Sequence, residues 1–151
     1  MAPFIVQIVV TLLARVKLGW RDAARAGLAV MFLFTAASHF SPLGRDMARM
    51  IPPPLTGAMW VIYLTGVLEA AGAIGLLLPR FRRTAAWCLL VLLVAMFPAN
   101  VYAALHDVHL GEKSASPLWW RAPLQLFWMA TLWWSTLARR KLSATGETQP
   151  A

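Results

Sequence analysis

Acidic residues are scarce in this chain: six Asp and Glu stand against fourteen Lys and Arg in 151 residues. There is a single cysteine, Cys88. That excludes an internal disulfide, a Cys-x-x-Cys redox pair and a thiolate-held iron–sulfur cluster. Glycine-rich phosphate loops, hydrolase nucleophile motifs and dinucleotide fingerprints are absent. The first two apolar helices do not repeat in the next two, which argues against a transporter built from inverted repeats.

What is present is apolar and arranged in blocks. Hydrophobic residues make up 60% of the chain and charged ones 13%, a departure from soluble composition. The formal charge of +8 does not point to nucleic acid. Its basic residues fall in short clusters between apolar runs, as membrane topology requires, and do not form a continuous basic face. Eight Trp agree, because indole favours the headgroup interface.

The sequence divides into an N-terminal apolar segment with a basic flank (1–21), a membrane domain (22–138) and a polar tail (139–151) expected to be disordered. Residues 3–14 are apolar but too short to span. Their basic residues follow the apolar run, whereas a secretory signal carries them before it. Gln7, Thr11 and Arg15 recur every fourth residue, which suits a helix lying at the membrane surface. A half-inserted or partner-contacting helix satisfies the same pattern.

Four spanning helices are expected at about 22–40, 55–78, 84–105 and 118–138, joined by loops at 41–54, 79–83 and 106–117. The fold class is therefore all-α, an integral membrane four-helix bundle with a short N-terminal interfacial helix. Lys and Arg count ten in the N-terminal flank, the 79–83 turn and the C-terminal flank, against four on the opposite side. Both termini are then cytoplasmic. Trp20, Trp87, Trp133 and Trp134 fall at the predicted inner interface, and Trp60, Trp119 and Trp120 at the outer one.

Five polar side chains are predicted inside the bundle, between midplane and outer surface: Glu69, His39, Asn100, Arg121 and Gln125. Glu69 is the only charged residue in its helix and lies near mid-depth, where an unpartnered acid costs on the order of 3 kcal/mol to insert. It shares a face with Gly66, Ala70 and Ala73, small residues that let helices approach, so it points into the bundle. Each of the five also has a structural duty open to it. Arg121 can snorkel to headgroups or pair with Glu69, and His39 can finish its helix. Asn100 can serve the carbonyl freed by Pro98, and Gln125 can join helices. The His106-Asp107-Val108-His109 spacing lacks a third strong donor, so no metal is assigned.

At these residues the chain resembles the DoxX and DoxX-like family of small four-helix bacterial membrane proteins. The resemblance rests on Ala37-Ser38-His39-Phe40, Gly66-Val67-Leu68-Glu69, Leu77-Leu78-Pro79-Arg80, Phe97-Pro98-Ala99-Asn100-Val101-Tyr102 and Arg121-Ala122-Pro123-Leu124-Gln125. It covers about 22–138. It implies the bacterial inner membrane and an association with membrane oxidoreductase systems, among them thiosulfate:quinone oxidoreduction. The thiosulfate-linked relatives carry segments that 151 residues do not provide.

The leading expectation is a membrane component of a redox system that binds a quinone or similar lipophilic molecule in an outward-facing polar cavity. Glu69 and His39 would exchange protons, while Arg121, Gln125 and Asn100 would hydrogen-bond carbonyl or anionic groups. Electrons would come from a membrane or peripheral partner protein, because the sequence offers no haem ligand pair. The alternatives are a non-catalytic membrane subunit or scaffold and a small-molecule transporter. No enzyme activity is assigned from sequence.

Overall fold

The computed structural model describes residues 2–15, 18–106, 109–110, 113–114 and 117–138. The tail 139–151, Asp107 and the side chain of His109 lie outside the described residues. Among the described residues the regular structure is helical apart from a short antiparallel ladder, β1 (His109–Leu110) with β2 (Lys113–Ser114).

Helix α1 (Ala2–Arg15) packs along α2 (Trp20–His39). Gln7 is buried at 3% exposure, while Leu13 is 70% exposed and Ile5 and Leu12 are also outside. The Thr11 hydroxyl donates to the Gln7 carbonyl at 2.7 Å, and both groups press on Gly27 of α2, where a Cβ would overlap them. Of the polar line read from the sequence, Gln7 and Thr11 face α2, and Arg15 is exposed with its guanidinium 4.0 Å over the Trp20 ring.

The loop expected at 41–54 contains a helix, α3 (Leu43–Arg49), bent 85° from α2. Pro42 supplies a helix-ready φ of −52° just before it, and the Ser41 hydroxyl accepts the Leu43 N–H at 3.3 Å. Gly44 lies directly on the His39 carbonyl with no room for a side chain, so α3 folds back across the end of α2.

Helix α4 (Met59–Leu77) begins four residues later than the apolar run. Pro52, Pro53 and Pro54 lack the N–H groups a helix needs. Gly57 then turns the chain at φ 80°, its N–H bonded to the Ala48 carbonyl at 2.9 Å. Helix α5 (Arg82–Leu105) returns beside α4, and the two meet where Gly72 and Gly75 face Leu89 and Ala85. Small residues at such a crossing let the backbones approach closely.

Helix α6 (Leu118–Leu132) runs into a wider π turn over Trp133–Leu137, where the Ala138 N–H reaches back five residues to the Trp133 carbonyl at 2.9 Å. The core is built by Leu28 and Phe32 of α2, Ala73 and Leu76 of α4, Leu89 of α5 and Leu132 of α6.

Helices α4 and α5 are long and apolar enough to cross a membrane, and α2 with α3 would make a third, bent span. Their outer faces are apolar too, with Val67 at 54% and Val91 at 65% exposure. A helix apolar on its outer as well as its inner face suits a lipid surrounding.

Candidate functional site

Glu69 sits at the middle of α4, ten residues after Met59 and so roughly 15 Å along the axis. It is buried at 4% exposure. Gly66 and Ala73 are buried with it, so the carboxylate faces α2 and not the apolar outside. The Thr35 hydroxyl lies 2.9 Å from Glu69 Oε2 and donates to it.

His39, one turn beyond Thr35 on α2, is buried at 3% exposure. Its Nδ1 is 2.9 Å from the Thr35 carbonyl and 3.8 Å from Glu69 Oε2. A carbonyl only accepts, so Nδ1 carries a proton. In the neutral ring Nε2 is then an acceptor. No described residue bonds Nε2. The histidine rests on α4 at Gly66, where an added Cβ would come within 2.8 Å of His39 Cβ and 2.9 Å of the Phe40 ring. Glycine at 66 is what lets the imidazole reach the carboxylate.

The other three predicted residues form a second group, between α5 and α6. Arg121 Nη1 donates to Asn100 Oδ1 at 3.4 Å, and Asn100 Nδ2 donates to Gln125 Oε1 at 3.2 Å. Gln125 Nε2 donates to the Leu93 carbonyl at 2.5 Å. Leu93 lies five residues before Pro98, whose missing donor and bulky ring loosen the helix ladder at that level. The carbonyl that Pro98 itself leaves without a helical donor is that of Val94, one residue on, and Asn100 spends its amide on Gln125. Arg121 is half-buried, and its 3.4 Å bond leaves most of the five guanidinium donors unspent on described residues.

The expected single cluster is thus two: Glu69–His39–Thr35 and Asn100–Gln125–Arg121. Among the described residues Glu69 and Arg121 make no ion pair. His39 takes the place offered to Arg121 beside the acid. Thr35 was missed as a partner, although its place one turn before His39 puts it on the same helix face. Two cavities are described, one at the Arg21 end of the bundle and one beside α1, and neither is lined by Glu69, His39, Asn100 or Arg121.

A group of basic side chains that the sequence offered only as topology markers also converges. Arg25 Nη1 donates to the Ser135 carbonyl at 2.5 Å, and Arg21 Nη1 donates to the Ala138 carbonyl at 2.9 Å. Two cations of α2 thereby serve carbonyls left without helical donors where α6 ends. Arg25 also pairs with Asp22, and Arg82 approaches the same carboxylate at 3.9 Å. Trp87 and Trp133 pack edge to face nearby, at 5.6 Å between centroids.

One family model, described as Domain of unknown function (DUF8561), matches residues 28–136. The matched span contains Thr35 and all five predicted site residues and leaves α1 outside. No curated protein and no solved structure matches the chain.

Proposed function

The chain belongs to the DUF8561 family; from its buried polar groups we propose that it is a membrane component of a redox system that binds a quinone or a similar small lipophilic molecule. Four passes are assigned to α2, α4, α5 and α6 with its π turn, in a bacterial inner membrane with both termini cytoplasmic. The ten-to-four distribution of basic residues supports that orientation. The resemblance to the DoxX family at Phe97–Asn100 and Arg121–Gln125 supports the redox association.

The observation that carries the proposal is the buried triad of Thr35, His39 and Glu69 at mid-depth of an apolar helix. An acid and an imidazole in hydrogen-bonding surroundings at that depth suit proton exchange. With Nδ1 held on the Thr35 carbonyl, Nε2 is the side offered to a guest hydroxyl, such as that of a hydroquinone. Arg121 and Asn100 supply donors suited to a carbonyl oxygen.

The test is titration of the purified full-length protein with a short-tailed benzoquinone analogue. Glu69→Gln keeps an acceptor for Thr35, and Arg121→Ala removes the donor fork. Each is expected to weaken binding about tenfold, the loss of one charge-assisted hydrogen bond. Binding as tight as that of the unmutated chain in both variants overturns the site. A second reading, a non-catalytic subunit or scaffold, is favoured by one feature, the exposed apolar side of α1 at Leu12 and Leu13. It predicts that deleting residues 1–20 abolishes recovery of a complex while quinone binding is untouched.

A further inference from the structure

We infer that the arginine-lined cavity at the end of the bundle where α2 and α5 begin and α6 ends is a binding site for a phosphate-type oxyanion, supplied by an anionic lipid headgroup or by free phosphate. The cavity has a volume of about 410 Å³ and is lined by Arg21, Arg25, Arg82, Arg83, Asp22 and Ser135, among others. Four guanidinium groups against one carboxylate leave a positive excess that nothing else lining the cavity offsets. Arg21 and Arg25 are held in place by the carbonyls of Ala138 and Ser135, so their charges are fixed at the rim.

Arg82 and Arg83 are spent differently. The only ion pair of Arg82 among the described residues is the long 3.9 Å approach to Asp22, and its Nε is buried with no hydrogen-bond partner. A buried donor without a partner costs stability unless something occupies it. Arg83 lines the cavity without an ion pair among the described residues. Guanidinium forks match the geometry of phosphate oxygens in pairs, and Ser135 and Thr136 complete the lining.

Depth favours a lipid source. Trp134 lies beneath the Arg21 guanidinium at 5.6 Å, with Trp87 and Trp133 packed together close by, the arrangement of a membrane–water interface. Basic pockets between helices on the cytoplasmic side are built to hold anionic headgroups. The site does not depend on the Glu69 cluster, so quinone binding and oxyanion binding fail or succeed separately.

The experiment measures binding of a fluorescent phosphatidylglycerol to the full-length protein in non-ionic detergent, with inorganic phosphate as competitor. The variants are Arg82→Gln with Arg83→Gln, which spare the carbonyl-bonded Arg21 and Arg25. The control is Arg80→Gln in the same turn, outside the cavity lining. Loss of affinity of about tenfold or more is expected for the double variant, with Arg80→Gln unchanged. Competition by millimolar phosphate identifies the oxyanion itself as sufficient, and its absence identifies the lipid as the source. Equal affinity of the double variant and the unmutated protein overturns the site. So does an equal loss in Arg80→Gln, which would mean undirected attraction by charge. A thermal melt of each variant confirms that the fold is retained; should the double variant not fold, Arg83→Gln alone, at an exposed position, carries the same expectations.

Discussion

Thr35 and Glu69 are joined across the α2–α4 contact by a 2.9 Å hydrogen bond, and the same threonine holds His39 through its backbone carbonyl. One residue therefore sets both the acid and the orientation of the imidazole. Replacing Thr35 by Val removes the donor and leaves the Glu69 carboxylate without it in a buried place. We expect a loss of about 1–3 kcal/mol in stability, with Thr35→Ser restoring most of it. Chemical unfolding of the three proteins in detergent reads this directly. Equal stability of the Val and Thr forms would show that the bond contributes nothing net.

Gly66 is the second point of control. An added Cβ would meet His39 and Phe40 at under 3 Å, and both are anchored by the α2–α3 corner. Gly66→Val is expected to push the imidazole off α4 and destabilise the protein by about 1–3 kcal/mol. The readout is the His39 imidazole resonance together with quinone-analogue affinity, which falls in step if His39 belongs to the site. Gly57→Ala tests a glycine that is needed for a different reason, its φ of 80°, and there the effect should fall on stability alone.

Gln7 offers a prediction of opposite sign. Its side-chain Oε1 is buried with no hydrogen-bond partner. The Thr11 bond goes to its backbone carbonyl, which a side-chain change leaves intact. Gln7→Leu is therefore expected to raise stability by about 1 kcal/mol. A lowered melting temperature in the Leu variant would mean that the amide is serving a ligand or partner at this position.

The helices were legible because long apolar runs announce themselves without tertiary knowledge, and α4 and α5 are long and apolar enough to cross a membrane. Their ends were less so. Residues 55–58 continue the apolar run of α4 toward its N-terminus, yet three prolines and Gly57 hold them outside the helix. Helix α1 was legible as a helix but not in its orientation. A polar line such as Gln7–Thr11 says that one side differs from the other, and only the surroundings decide which side faces the protein. In an apolar surrounding the polar side turns inward.

The candidate residues were legible one by one, because an acid, an amide or an arginine inside an apolar run is conspicuous. Which of them meet was not. His39 and Glu69 come together through the absence of a side chain at Gly66, and Thr35 carries no charge to mark it. Arg21, Arg25 and Arg82 counted only toward orientation in the sequence, since their meeting depends on where α6 stops.

The π turn at the end of α6 has a consequence at the level of the gene. It accommodates one residue more per turn than the helix before it, so loss of a single codon between 133 and 137 would let a regular helix form there. Because the wider turn takes up its extra residue within nearly the same rotation, Ala138 would stay on the same face of the helix. Its carbonyl would remain within reach of Arg21 and the arginine-lined chamber would keep that wall. A change of one residue in this stretch should therefore be tolerated among relatives, whereas the same change earlier in α6 would turn all that follows by about 100°.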